Sequence, residues 1–257
     1  MENDIVTKTL GLIGSGMIGG NLARLAVDAG LDVVLSNSRG PGTLADLVAE
    51  LGPRARAATA AEAALAGDLV VATVPLGALE KLPAEAMAGK TVIDTMNYYP
   101  ERDGRIAALD TRELTSSALV QRRLTGSRVV KACNNIHFVS LYTVARPAGS
   151  PERSALPIAG DDADAKADVA ALLDVLGYDT VDLGPLADSW RSEPGTPLYV
   201  RPYFPGMPPW GTSQEALFRW FRDTRGVPVT AERVKELASL AIRSHTGERL
   251  PGKFTSD

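Results

Sequence analysis

One cysteine, Cys133, and two histidines, His137 and His245, are all that this 257-residue chain offers a thiolate- or imidazole-seeking metal. A single thiol excludes an internal disulfide framework and a cysteine-rich zinc site, and two histidines make a histidine metal centre an unpromising expectation. Surplus positive charge is also missing. With 27 Lys and Arg against 31 Asp and Glu the net charge is −4, so nothing electrostatic points to nucleic acid or an anionic membrane as a partner. No apolar run approaches the length of a membrane span, and the opening MENDIVTK is acidic and has no apolar signal core. The expectation is a soluble, cytoplasmic protein. Internal repeats and low-complexity tracts are absent as well, and the length suits one large domain with an appendage or two unequal domains.

What is present is concentrated between Thr9 and Arg39. The apolar run Thr9 to Ile13 enters Gly14, Gly16 and Gly19 in G-x-G-x-x-G spacing, and a helical pattern (Ile18, Leu22, Leu25, Ala26) runs on to Gly30. Strand, glycine turn and helix in that order point to a dinucleotide-binding site, the alternative being a purely structural turn. Gly14 permits the tight turn, Gly16 lets backbone N–H groups approach a pyrophosphate, and Gly19 lets the helix lie close to the strand. The helix N-terminus, at Ser15, Met17 and Ile18, faces the anion with free N–H groups and a favourable dipole. A second apolar run, Val33 to Leu35, completes a βαβ unit.

The tip of that second strand favours NADP over NAD. An NAD site places Asp or Glu there to accept the ribose hydroxyls, whereas Ser36, Asn37, Ser38 and Arg39 stand there in this chain. Hydroxyls, an amide and a guanidinium would hold a 2′-phosphate that a carboxylate would repel. Asp32, the nearest acid, lies at the start of the strand, where a turn role is expected.

Further on, a helix is expected over Thr43 to Leu51, a short strand over Arg56 to Ala58, and a helix over Ala60 to Leu65 with Thr59 as N-cap. Leu69 to Val74 and Thr91 to Thr95 read as central parallel strands buried on both faces. Their ends place Thr73, Val74 and Pro75, then Asn97, Tyr98, Tyr99 and Asp103, at the carboxyl edge of the sheet, where open α/β folds bind ligands. Pro75 could equally start a helical turn, and the polar loop residues could serve loop hydrogen bonds as well as a ligand. A helix at Ser117 to Leu124 and a strand at Arg128 to Ala132 follow. The alternation predicts an α/β fold, a doubly wound parallel sheet of Rossmann type.

At ARPAGSPERS the composition turns to that of a linker, so a dinucleotide-binding domain over 1–145 and a smaller, partly helical acceptor-binding or dimerisation part over 146–257 are expected. In that part a strand (Ala155 to Ala159), a helix (Ala163 to Leu176) and a strand (Thr180 to Leu183) form a βαβ-like unit that could instead extend the first sheet. Trp190 to Trp210 holds six prolines, and Trp190 to Phe221 holds eight of the chain's fourteen aromatics. Such a stretch is neither helix nor central strand. It is either a wall on which a flat ring stacks or a strap packed on the core or on a second subunit. Helices are expected over Thr212 to Asp223 and Thr230 to Ser244, and the tail ERLPGKFTSD is expected to be loose.

With GSGMIGG, SNSRG, VVATVP, VVKACNNI, and PIAGDDADAK followed by VDLGPLADS in view, the chain resembles the NADP:coenzyme F-420 oxidoreductases, from about Thr9 to Leu186. The resemblance implies that Ser38 and Arg39 clamp the 2′-phosphate of NADP(H), that Thr73, Val74 and Pro75 line the nicotinamide side, and that Asn134 to His137 border the space where the two rings stack. It also implies a homodimer. Members of that family tend to end soon after the GPL segment, whereas this chain continues into the strap and two more helices.

If the acceptor is the deazaflavin coenzyme F-420, two planar rings held face to face suffice for hydride transfer and no strong acid is needed. A small-molecule imine, ketone or enone would need a proton donor, with Tyr98, Tyr99, His137 and Tyr203 as candidates, His137 and Tyr98 foremost. His137 could also be a satisfied loop histidine, and Cys133 reads as a small buried apolar residue. A non-enzymatic NADPH-binding redox sensor is the third reading.

Overall fold

Eight strands of three to seven residues, separated by turns and short helices, form in the computed structural model, which describes residues 9–208 and 211–243. MENDIVTK, Trp210, His245 and the tail ERLPGKFTSD lie outside the described residues. The strands are β1 (Thr9–Ile13), β2 (Asp32–Ser36), β3 (Ala55–Ala57), β4 (Leu69–Ala72), β5 (Thr91–Asp94), β6 (Arg128–Lys131), β7 (Ser154–Gly160) and β8 (Tyr178–Asp182). They form one sheet in the order β3-β2-β1-β4-β5-β6-β7-β8. The first six are parallel, so the expected doubly wound Rossmann-like sheet is the fold.

Both faces of this sheet are covered, and the two-residue period of the strands divides the core between them. In β4, Leu69 and Val71 join the cluster built with Leu22, Leu25 and Val169, while Val70 and Ala72 join that of Met87, Val120 and Leu124. The expected N-cap at Thr59 is present as a reciprocal pair: Glu62 N–H donates to Thr59 Oγ1 at 3.3 Å and Thr59 N–H to Glu62 Oε2 at 2.9 Å.

The sheet runs on past Ala145. β7 joins β6 antiparallel, with Lys131 opposite Ala159, and β8 pairs with β7 parallel. The βαβ-like unit therefore extends the first sheet. Because Lys131 is the last residue of β6, the five residues Ser154 to Ile158 of β7 run beyond the carboxyl edge of the parallel strands. At ~3.3 Å per residue that overshoot is about 16 Å. It stands as a wall beside the place where the loops after β4, β5 and β6 meet.

Several boundaries differ from the sequence reading for local reasons. β4 stops at Ala72, where Thr73 N–H turns to Ile13 O at 2.9 Å and Pro75 caps a 3-10 helix, Leu76–Lys81. A 3-10 turn, Pro41–Leu44, precedes the helix Ala45–Leu51. The later helices are Gln214–Asp223, capped by Ser213, and Ala231–Ser239, capped by Thr230 as expected. The helix Phe138–Thr143 was not expected; it lies against the helix Met17–Asp28, where Asn21 Nδ2 donates to Phe138 O at 2.7 Å. None of the helices among the described residues is long and apolar enough to cross a membrane.

Candidate functional site

The three glycines differ in what a side chain would meet. At Gly14, φ is +102° and a Cβ would lie 2.2 Å from Thr73 O; at Gly19 it would lie 2.2 Å from Gly14 O. Those two positions hold the turn against the β4 loop and against itself. A Cβ at Gly16 would meet nothing within 4 Å. Gly16 is also the N-cap of the helix Met17–Asp28, which has no side-chain cap and no acid in its first turn. The helix start is thus open and uncompensated, a cradle that fits a pyrophosphate. Ser15 Oγ is tied down, donating to Ser36 O at 3.0 Å, while Met17 is two-thirds exposed.

At the tip of β2 the four residues expected to face a 2′-phosphate separate. Ser36 is fully buried and its hydroxyl donates to Leu12 O at 2.8 Å, so its side chain joins β2 to β1 and is corrected from phosphate ligand to sheet brace. Asn37 shapes the turn, its Oδ1 accepting from Arg39 N–H at 3.0 Å and its Nδ2 donating to Thr43 Oγ1 at 2.8 Å. Ser38 and Arg39 are exposed beyond it. Asp32 sits at the opposite end of the strand, paired with Arg54 at 3.1 Å.

The loops after β5 and β6 are joined by two asparagines. Asn97 Nδ2 donates to Asn134 O at 2.8 Å and Asn134 Nδ2 to Asn97 Oδ1 at 3.1 Å; Asn134 Nδ2 also reaches Ser192 O at 2.8 Å. Asp103 ties in the loop after β4 by accepting from Gly77 N–H at 3.1 Å and Tyr99 N–H at 2.9 Å. Burial pushes the Asp103 carboxyl up, but the hydrogen bonds from Arg102, Tyr99 and Gly77 outweigh it and hold it below the usual aspartate value. Thr73, Val74 and Pro75 edge the same crevice, opposite the glycine turn.

The two candidate acids stand in different surroundings. Tyr98 is 3% exposed; its hydroxyl donates to Asp110 Oδ1 at 3.0 Å and accepts from Ile106 N–H at 2.9 Å. Its proton is committed inside the core, so Tyr98 is corrected from candidate acid to loop anchor. His137 stands at the start of the helix Phe138–Thr143 among aromatic rings, with centroids 4.3 Å from Phe138, 5.2 Å from Phe204 and 5.5 Å from Phe221. Burial depresses it to about 4, and its Nδ1 is buried without a hydrogen-bond partner. It is a neutral imidazole at physiological pH. Cys133 is buried as expected, and burial pushes its thiol up to about 12.

Sequence reasoning passed over a charged cluster beneath the crevice. Lys131 and Asp94 are buried register partners at the ends of β6 and β5, 3.3 Å apart. Lys131 Nζ also donates to Met96 O and, at 3.1 Å, to Ser116 Oγ. Ser116 Oγ in turn donates to Glu193 Oε1 at 2.7 Å, and Ser117 Oγ to Asp94 Oδ2 at 2.6 Å. The sequence shows only that one acid and one base end two short strands, Asp94 in TVID and Lys131 in RVVK; that they stand opposite each other is a fact of the sheet.

The proline-rich segment is a strap on the core, the second of the two readings. Leu198 and Tyr203 are fully buried; Tyr203 OH donates to Ala155 O at 3.0 Å on the overshooting β7, and Val200 N–H donates to Asn135 O at 2.8 Å. Val200 and Cys133, near the two ends of that last contact, both hold left-handed backbone, φ +57° and +56°. A β-branched residue in that region costs of order 1–3 kcal/mol, so its neighbours impose it.

Residues 9–98 match the family described as NADP oxidoreductase, coenzyme F-420-dependent. A hypothetical protein of Sinorhizobium meliloti is 29% identical with a TM-score of 0.66, covering 76% of this chain and 93% of its own. A protein of Arthrobacter sp., provisionally an F-420-dependent NADP-reductase, is 28% identical with a TM-score of 0.60, covering 71% and 87%. The 3-hydroxyisobutyrate dehydrogenase of Mycobacterium tuberculosis, 17% identical with a TM-score of 0.50 over 71% of this chain and 56% of its own, shares the fold. No curated protein matches the sequence. The family match covers the motifs GSGMIGG, SNSRG and VVATVP and supports an NADP oxidoreductase; each of the first two structural matches leaves about a quarter of the chain or a little more uncovered.

Proposed function

We propose that the protein is a reductase that passes hydride from NADPH to the deazaflavin ring of coenzyme F-420. The observation that carries this reading is a coincidence: the family match spans the glycine turn and the β2 tip, and that tip presents an exposed Arg39 and no carboxylate. Bound NADPH supplies the hydride from its nicotinamide ring. The chain does the placing. Gly16 and the helix N-terminus would take the pyrophosphate, and Ser38 and Arg39 the 2′-phosphate through charge-assisted hydrogen bonds. Thr73, Val74, Pro75 and the Asn97–Asn134 bridge would border the nicotinamide, and His137, held neutral, the stacked acceptor. Aligning two rings can supply a large part of the acceleration. A homodimer belongs to the same reading.

Mixing the protein with NADPH and oxidised coenzyme F-420 should bleach the deazaflavin absorbance. No bleaching at high enzyme concentration sinks the acceptor assignment and leaves the NADPH site standing. A small-molecule imine, ketone or enone is then the acceptor class to try, favoured by the strap and two helices with which this chain continues beyond the GPL segment.

The cofactor choice has its own test. Converting Ser38 to Asp and Arg39 to Ala should lower the preference for NADPH over NADH by about 10- to 100-fold, the worth of one or two charge-assisted hydrogen bonds. An unchanged ratio of the two dissociation constants would remove the 2′-phosphate from this tip.

A further inference from the structure

Six tyrosines occur in the chain, and four of their hydroxyl protons are spoken for. Tyr98 donates to Asp110 Oδ1, Tyr142 to Asp28 Oδ2, Tyr178 to Leu141 O and Tyr203 to Ala155 O. The other two, Tyr99 and Tyr199, hydrogen-bond only to each other through their hydroxyls among the described residues. Two hydroxyls bring two protons, and one bond between them uses one. One O–H is left with no acceptor among the described residues.

The pair is also well placed. Tyr99 lies on the loop after β5, two residues beyond Asn97, and Tyr199 is on the strap beside Val200, whose N–H binds Asn135 O in the loop after β6. The hydroxyls therefore join the two elements that flank the Asn97–Asn134 bridge. Arg102 holds the arrangement from below, its guanidinium 4.9 Å from the Tyr99 ring centroid and its Nη2 2.8 Å from Asn97 O. Tyr99 is 6% exposed, and burial raises both phenols, Tyr199 well above its ordinary value, so both stay protonated. The hydroxyl protons of Tyr98 and Tyr203 are already donated to protein oxygens, and burial keeps His137 neutral, so its one N–H is a far weaker acid than an imidazolium.

We infer that the Tyr99–Tyr199 pair is the proton donor of the acceptor site, and that the site takes an acceptor reduced at carbon and protonated at a conjugated nitrogen or oxygen. The inference rests on the reductase reading and adds a chemical requirement to it. As hydride forms the new C–H bond, the electron pair of the acceptor's double bond moves to the heteroatom, which takes a proton from the pair. NADPH is oxidised, the acceptor is reduced, and water returns the proton to the tyrosine pair. A deazaflavin, with its conjugated ring nitrogen, and a cyclic imine share this chemistry.

The test compares the wild type with Tyr99→Phe, Tyr199→Phe and the double variant, using oxidised coenzyme F-420 in one arm and a cyclic imine in the other. The double variant should lose about 100-fold or more in turnover with whichever acceptor the wild type reduces, the usual worth of general-acid catalysis. Each single variant keeps one hydroxyl and should lose less. NADPH affinity should stay within about twofold, and oxidised acceptor should bind the NADP⁺-loaded double variant about five- to tenfold more weakly, one hydrogen bond being lost. The wild type should also show a solvent deuterium isotope effect on turnover, a readout that survives poor folding of any variant. Turnover undiminished in the double variant, or no solvent isotope effect in the wild type, overturns the pair and leaves the reductase standing. No NADPH oxidation by the wild type in either arm overturns the reductase reading and the pair with it.

Discussion

Lys131→Met should destabilise the protein by about 3–5 kcal/mol, the usual result of removing one partner from a buried ion pair. The effect belongs at the upper end of that range because two carboxylates lose their cation together: Asp94 directly and Glu193 through Ser116. Both are buried, so neither can recover its hydration without local opening. Urea unfolding of the variant against the wild type measures it, and a loss below about 1 kcal/mol would mean that water already reaches the cluster. Adding Asp94→Leu should recover part of the loss, since a fully apolar replacement removes one stranded charge.

The second large effect separates binding from stability. Gly16→Val puts a side chain where a Cβ meets nothing within 4 Å, so the melting temperature should fall by only about 2–4 °C, the cost of valine at a helix N-cap. NADPH affinity should fall by about 10- to 100-fold, as backbone N–H groups lose their approach to the pyrophosphate. Gly14→Ala, smaller in size, should damage both properties. It forces an L-residue to φ +102° and drives a Cβ to 2.2 Å from Thr73 O. Calorimetry for stability and fluorescence titration for NADPH decide the case; tight NADPH binding by Gly16→Val would remove this turn from the cofactor site.

Much of the donor half could be read from residue types because its signals are local. A glycine turn between an apolar run and a helical pattern names its own geometry, and runs such as LVVA exclude water from both faces of a strand. The rest depends on neighbours distant in the chain. Lys131 looks like a surface charge until β5 brings Asp94 opposite it. Tyr98 and Tyr99 are adjacent and alike, and only the folded loop shows that one anchors the core and the other reaches the strap. Four of the six residues in the helix Phe138–Thr143, FVSLYT, are β-branched or aromatic with little helical preference, and packing against the first helix decides its state. The direction of β7 was equally hidden, since an apolar run reads the same whether its partner is parallel or antiparallel.

That reversed strand has a consequence for how the protein can change. The rim of a parallel sheet is made of loops, which lengthen and vary freely. Here part of the rim is a strand instead, buried along its whole length and carrying the strap on the carbonyl of Ala155. Insertions can accumulate in the loops after β4 and β5, but a single residue added to β7 would turn every side chain from one face to the other. The seat of the strap is therefore a fixed height above the carboxyl edge of the sheet, set by backbone register, so that the space beneath it changes only when the strap itself changes.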